Sequence, residues 1–97
     1  MKVRQTEDFA TWLTKLRDAE GRKRIVARIV RVASTGNFGD FRSVGDGVSE
    51  LRIHSGPGYR VYYTLRGADV VLLICGGDKG SQDRDIEKAK EMAAALP

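Results

Sequence analysis

Four side chains suited to phosphate chemistry lie close together in the chain: Glu50, Arg52, His54 and Arg60. In an extended strand, side chains two residues apart share one face, so a strand over residues 50–55 presents the first three together. A second strand over residues 59–66 adds Arg60 and Tyr62 to the same open face. RNA cleavage needs a base for the 2′-hydroxyl, cations for the phosphate and an acid for the leaving 5′-oxygen. This face therefore indicates ribonucleolytic transfer.

Each role in this reaction has a candidate residue. Glu50 or His54 can transfer protons, and positive charge can come from Arg52, Arg60 and Lys79. The chain has one histidine and one cysteine, and its carboxylates are not clustered, so the usual ligands of a zinc-type site are lacking. We therefore expect no metal ion and no other cofactor.

Structural alternatives stay open for the same residues. His54 lies next to a turn and can be an ordinary surface histidine. Glu50 can pair with Arg66 across the strands, and Arg60 can be an ion-pair partner without a role in chemistry. Spacing alone does not decide between these readings and the catalytic one.

Three antiparallel strands must position these side chains. The pattern predicts strands over residues 50–55, 59–66 and 70–77, joined by turns at 56–58 and 67–69. The first two alternate between apolar and polar residues, so one face of each can build a core. The third is apolar throughout, which is typical of a central strand that is covered on both faces.

Helices flank this sheet in the predicted fold. Residues 2–5 form a short strand, Thr6 caps a first helix that runs to about Asp18, and a second helix covers 22–34 and ends at Gly36. Residues 36–47 are expected to form a glycine-rich loop, and Ser81 begins a last helix. The result is a single domain over residues 1–97, of α+β class. We expect its helices on one side of a three-to-four-stranded antiparallel sheet.

The distribution of charge indicates a negatively charged partner. The net charge is +4, and residues 22–66 alone contain nine basic and three acidic residues, a balance of +6. Arginines recur on one side of the second helix, where they can follow a phosphate backbone or bind an acidic protein: Arg24, Arg28 and Arg31. An exposed basic surface of no special role is the alternative. No signal peptide or membrane-spanning run is evident, and the lone Cys75 suits a reducing cytoplasm.

Two runs of sequence resemble one family of proteins. They read ELRIHSGPGYRVYY at residues 50–63 and LICGGDK at residues 73–79. Together with the N-terminal helical pair, they resemble toxins of the RelE/ParE superfamily. The nearest likeness is to the RelE/HigB-type "addiction module killer" branch of bacterial type II toxin–antitoxin systems. The resemblance extends over nearly the whole chain and implies a RelE-like fold.

The resemblance also implies an activity and a site. Such toxins are small ribonucleases that enter the ribosomal A site and cut mRNA, leaving a 2′,3′-cyclic phosphate. By position, Arg60 matches the arginine that stabilises the scissile phosphate, and Lys79 the basic residue at the end of the last strand. Glu50 falls where some members have a lysine and others a glutamate that acts as base. Further residues are expected to contact RNA: Arg52, Arg24, Arg28, Arg31, Tyr62 and Arg84.

This chain departs from the family at the start of the last helix. Many members carry a catalytic tyrosine or histidine there, whereas residues 84–86 read Arg-Asp-Ile. His54 can take over part of that role, or catalysis can rest on charge stabilisation and on orientation by the ribosome.

Partners follow from the resemblance as well. A small helix-turn-helix antitoxin is expected to cover the basic face, and operator DNA is expected to bind only the toxin–antitoxin complex. mRNA on the ribosome would be the substrate, in the bacterial cytoplasm and away from membranes. Two other functions stay open: a ParE-like toxin that acts on DNA gyrase without cutting RNA, and a degenerate toxin fold that only binds its antitoxin.

Overall fold

The computed structural model describes residues 1–97 and contains five strands and three α-helices. In chain order the elements are β1 (Lys2–Gln5), α1 (Glu7–Lys15), α2 (Ala19–Thr35), β2 (Phe41–Gly45), β3 (Val48–Ile53), β4 (Tyr59–Arg66), β5 (Val70–Asp78), a 3₁₀ turn (Lys79–Ser81) and α3 (Gln82–Ala95). The strands form one sheet in the order β1-β5-β4-β3-β2, in which β1 is parallel to β5 and all other neighbours are antiparallel. The α+β class is confirmed, but the sheet is mixed and has five strands.

The extra strand, β2, lies where a loop was expected. It forms a hairpin with β3 through Asp46 and Gly47, whose φ angles are 55° and 76°. Asp-Gly is a preferred pair for the type I′ turn, in which both central residues have positive φ. The glycine-rich composition of residues 36–47 concealed this signal, and β3 consequently begins at Val48 rather than at residue 50.

The helices cover both faces of the sheet, so the expectation of helices on one side is wrong. α1 and α2 lie over an apolar core of ten buried residues that includes Phe9, Ile25 and Val61. α3 lies on the opposite face, over five buried residues that include Tyr62 and Ala89. The chain reaches that face because the 3₁₀ turn redirects it directly after β5.

Side-chain caps set the helix boundaries. Thr6 Oγ1 accepts a hydrogen bond from Phe9 N at 3.1 Å and starts α1 as expected. Asp18 was placed at the end of the first helix, but it caps the second by accepting from Gly21 N at 3.0 Å. α1 therefore ends at Lys15, and α2 begins at Ala19. Gly36, at φ 71°, ends α2 as predicted.

Cys75 is buried in β5, as a small apolar residue would be. Burial raises the pKa of its thiol to about 11. None of the helices has the length and apolar composition required of a bilayer-spanning segment.

Candidate functional site

A row of basic side chains crosses the sheet on the face under α3. Arg52 of β3 lies opposite Arg60 of β4, and Arg60 lies opposite Gly77 of β5. Lys79 follows directly after the end of β5. A β-carbon built on Gly58 would stand 3.6 Å from both Arg60 Nη1 and Lys79 Cβ, so these two residues approach each other across that glycine. We call Arg52, Arg60 and Lys79 the cationic row.

Glu50 lies beneath this row and is fully buried. Its carboxylate accepts from Arg42 Nε at 2.9 Å and from Gln82 Nε2 at 3.1 and 3.3 Å, and it lies 4.0 Å from Arg60 Nε. A buried carboxylate is tolerated only when cations and hydrogen bonds compensate for lost water, and this one has both. The predicted alternative, a pair with Arg66, is wrong because Arg66 donates to the carbonyl of Pro97.

The expectation of an open face is wrong at three of its positions. Glu50 and Tyr62 are completely buried, and Arg60 is only 5% exposed. The cause is α3, which covers this face. Arg52 stays partly exposed, with 36% of its side chain accessible. Tyr62 therefore does not present its ring to solvent, where an RNA base could stack on it.

Three buried polar atoms near the row have no hydrogen-bond partner: Arg52 Nε, Arg60 Nε and Tyr62 Oη. Arg60 Nη1 makes one bond, a 3.3 Å contact to its neighbour's carbonyl, that of Tyr59. Burial, followed by the charges of Glu50 and Asp85, raises the pKa of Tyr62 far above its ordinary value. Unpaired buried polar groups cost folding free energy, and in native proteins they often mark functional positions.

A surface cleft of about 380 Å³ opens beside the end of the row. It is lined entirely by residues 79–84, including Lys79, Gln82 and Arg84. Arg84 is exposed at the start of α3, so its guanidinium and the Lys79 ammonium border the same cleft. Gln82 also holds Glu50, so one wall of the cleft contacts the buried carboxylate.

His54 lies in a different environment from the cationic row. β3 ends at Ile53, so the alternation of the strand no longer directs the histidine ring. Its Nε2 is 2.6 Å from Asp40 Oδ2, and this hydrogen bond is the main cause of a lowered pKa at Asp40. The ring lines a second cleft of about 380 Å³, on the side of α2, together with Ala27, Ile53 and the three predicted arginines, Arg24, Arg28 and Arg31.

The predicted site residues thus form two groups. Arg52, Arg60 and Lys79 share a row, with Glu50 and Tyr62 beneath it and Arg84 at its end, whereas His54 lies with the arginines of α2. Sequence reasoning missed three polar residues that organise these groups: Arg42, Gln82 and Asp40. The Asp46–Gly47 turn was only a partial signal for Arg42. A regular two-residue hairpin there would align Ser43 with Glu50, and the bulge between Ser43 and Gly45 shifts Arg42 into that position. Nothing in the local pattern pointed to Gln82.

Comparison with known proteins places the chain in a family. Residues 11–95 match the family described as "Phage derived protein Gp49-like (DUF891)". An uncharacterized protein of Haemophilus influenzae is 47% identical over 96 residues, which cover 99% of this chain and 96% of that protein.

Solved structures of Escherichia coli RelE share the fold. A double arginine-to-alanine variant of the toxin in the free state superposes with a TM-score of 0.74 at 18% identity, covering 98% of this chain and 97% of that one. The intact RelBE toxin–antitoxin complex gives 0.62 at 21% identity, covering 79% and 94%. The resemblance to the RelE/ParE superfamily is thereby confirmed. The chain has the fold of RelE and belongs to the family of phage-derived Gp49-like proteins.

Proposed function

We propose that this protein is the toxin of a bacterial type II toxin–antitoxin module and a metal-independent endoribonuclease that cuts mRNA on the ribosome. The observation that carries the proposal is the cationic row: Arg52 and Arg60 lie opposite each other on one sheet face, and Lys79 approaches Arg60 from the turn after β5. The similar solved structures, a RelE toxin and a RelBE toxin–antitoxin complex, support the toxin assignment.

In the proposed reaction the RNA 2′-hydroxyl loses its proton to water while its oxygen attacks phosphorus. The bond to the 5′-oxygen breaks, and that oxygen takes a proton from water. The products are a 2′,3′-cyclic phosphate and a 5′-hydroxyl. Arg60 stabilises the charge that develops on the phosphoryl oxygens, and Arg52 and Lys79 hold the phosphate from either side. Arg84, in the cleft beside Lys79, contacts the neighbouring part of the strand.

Glu50 receives a different role from the one its sequence position suggested. It has no exposed surface, and its oxygens are occupied by Arg42 and Gln82. We therefore assign it to positioning Arg60, 4.0 Å away, rather than to proton transfer. With His54 bound to Asp40 in the other cleft, the proposed rate enhancement comes mainly from charge stabilisation and orientation.

The proposal includes a partner and a location. A small helix-turn-helix antitoxin neutralises the toxin by covering its basic surface, and the complex binds operator DNA. The net charge of +4 suits binding to both RNA and an acidic protein segment. Translation is inhibited in the bacterial cytoplasm.

Growth arrest tests the assignment of the row. Expression of the wild type without an antitoxin should stop growth. Arg60→Ala should abolish arrest and reduce cleavage of a message on purified ribosomes by about 10²–10³-fold, as expected for a lost preorganised cation. Because Arg60 is buried beside Glu50, the partly exposed Arg52→Ala serves as a second variant that leaves this pair intact. Arg66→Ala, at the opposite end of β4, is the charge-matched control. Full toxicity of both row variants would refute the assignment.

A ParE-like toxin that acts on DNA gyrase is the second candidate function. The observation that favours it is the first turn of α3, where residues 82–85 include no aromatic or histidine side chain. Primer extension on mRNA from induced cells separates the candidates. Codon-phased cuts within minutes support the nuclease, whereas intact mRNA with DNA-damage signalling supports gyrase as the target. A well-folded, non-toxic protein that binds its antitoxin tightly would instead be a degenerate toxin fold.

A further inference from the structure

Two arginines of α2 approach each other over a glycine. A β-carbon built on Gly39 would overlap Arg31 Nη2 and would stand 3.2 Å from both Cζ and Nε of Arg28. Gly39 has a φ of 67°, which favours glycine, and a side chain there would displace the flexible end of Arg31. The loop after α2 therefore shapes the arginine pair. Arg28 and Arg31 line one cleft together with Ala27, Ile53 and His54, and we call it the paired-arginine cleft.

Neither arginine of the pair makes an ion pair with a carboxylate. Arg28 Nη1 donates to the carbonyls of Phe38 and Asp40 at 3.3 and 3.2 Å, and Arg31 makes no ion pair. Burial and the charge of Arg31 lower the pKa of Arg28, and the smaller opposing effect of the Asp40 charge does not offset them. Adjacent cations repel each other, and an anion between them lowers that cost.

The rest of the cleft suits a nucleotide chain. Its volume is about 380 Å³, and its lining combines arginines with a small apolar floor of Ala27 and Ile53. His54 forms one wall and is bound by the Asp40 carboxylate, and Arg24, which also lines the cleft, pairs with Glu20 at 3.3 Å. Guanidinium groups bind phosphate oxygens in paired, directional hydrogen bonds.

A chain of side chains connects this cleft to the cationic row. Asp40 binds His54 at 2.6 Å and lies 4.0 Å from Arg52 Nη1, and Arg52 lies opposite Arg60. A single RNA strand lying over this end of the sheet would therefore pass from one basic site to the other. This continuity favours RNA as the ligand, because an RNA strand would use both the cleft and the cationic row. An acidic peptide bound in the cleft would not need the cationic row.

We propose that the paired-arginine cleft is a second phosphate-binding subsite, which holds a backbone phosphate of the RNA strand away from the bond that is cut. The inference rests on the proposed ribonuclease function and extends it to where the substrate lies. Arg28 and Arg31 bind the phosphate, and Ala27 and Ile53 contact the adjoining sugar. His54 belongs to this subsite and not to the cleavage centre.

Salt-dependent binding tests the subsite. The probe is a fluorescent single-stranded RNA with 2′-O-methyl groups throughout, which cannot be cleaved by its own 2′-hydroxyls. We expect Arg31→Gln to weaken binding about tenfold at low salt. It should also lower the slope of log Kd against log salt concentration by about 0.7, the value for one phosphate contact in a single strand. The double variant, Arg28→Gln with Arg31→Gln, should lower the slope no further, because both arginines are needed to hold the same single phosphate. Arg66→Gln is the charge-matched control and should leave the slope near that of the wild type.

Thermal unfolding checks that the variants fold, and Arg31→Gln loses no side-chain hydrogen bond within the protein. A folded Arg31→Gln variant with wild-type affinity and slope would overturn the subsite. The subsite would also be overturned if Arg31→Gln lost binding to polyglutamate while its RNA binding stayed unchanged. The cleft would then be a site for acidic protein. Failure of the proposed function looks different: the wild type would leave a natural message uncut, whatever the slope shows.

Discussion

The face of the sheet under α1 and α2 buries ten apolar residues, whereas the face under α3 buries five together with three charged residues. Tyr59 and Tyr62 are near neighbours on β4 and show the contrast directly. Tyr59, on the first face, donates to Asp18 Oδ2 at 2.8 Å, whereas the hydroxyl of Tyr62, on the second, has no partner. Unpaired buried polar groups cost folding free energy, so the face under α3 stabilises the fold less than the face under α1 and α2 does.

This difference indicates that the two faces of one small sheet have different roles. The apolar face holds the chain together, because buried apolar area is the main source of folding free energy. The face under α3 keeps Arg60 and Glu50 away from solvent at a cost in desolvation. A site built on a rigid sheet holds its groups in place better than one on loops, so the apolar face also supports the proposed site opposite it.

The largest effect is expected from a cavity in the apolar face. Phe9 is fully buried there, and Phe9→Ala should lower the free energy of unfolding by about 3–5 kcal/mol, a large part of the total for a domain of this size. Urea denaturation measures this change. Ile86→Ala, on the partly buried side of α3, is the comparison and should cost only about 1 kcal/mol. Equal losses in the two variants would show that both faces stabilise the fold alike.

A smaller effect should separate the two tyrosines. Tyr59→Phe removes a hydrogen bond to a carboxylate and should cost about 1–2 kcal/mol. Tyr62→Phe removes a hydroxyl without a partner and should leave the stability unchanged or raise it slightly. Parallel thermal and urea unfolding of both variants tests this. A loss in Tyr62→Phe as large as that in Tyr59→Phe would mean that the Tyr62 hydroxyl is satisfied in solution.

The smallest effect is expected from the pH dependence of stability at Asp18. Hydrogen bonds from Gly21 N and from the Tyr59 hydroxyl lower the pKa of this carboxyl in the folded state. The unfolded chain therefore binds a proton at higher pH than the folded one, so the contribution of Asp18 is complete above about pH 4 and is lost as pH falls through the folded pKa.

Below about pH 4 the free energy of unfolding should decrease less steeply with falling pH in Asp18→Asn than in the wild type. Denaturation curves taken across acid pH measure the slope. Asp69→Asn, at an exposed turn position where the carboxylate makes no ion pair, provides the matched control and should keep the wild-type slope. An unchanged slope in Asp18→Asn would contradict the role of this cap in acid unfolding.

Much of the fold was predictable because its signals are local. The alternation in residues 59–66, the apolar run of β5 and Gly36 at the end of α2 each predicted an element that is present. The strand after α2 was missed because glycines obscured the Asp46–Gly47 hairpin signal. The crossing of α3 to the far face was missed because the short turn after β5 can lead to either side of a sheet.

The amino-acid sequence by itself determined the α+β class and the common face of Arg52 and Arg60, because the apolar residues that alternate with them on both strands must share the core face. The RelE-like fold followed from the family resemblance of residues 50–63 and 73–79. Only the tertiary structure decided what covers that face. Placing α3 there buried Glu50 and Tyr62, brought Gln82 onto the carboxylate and left His54 with the arginines of α2. These contacts join residues that are far apart in the chain. The burial of those residues depends on how the helices pack, and local periodicity does not encode that packing.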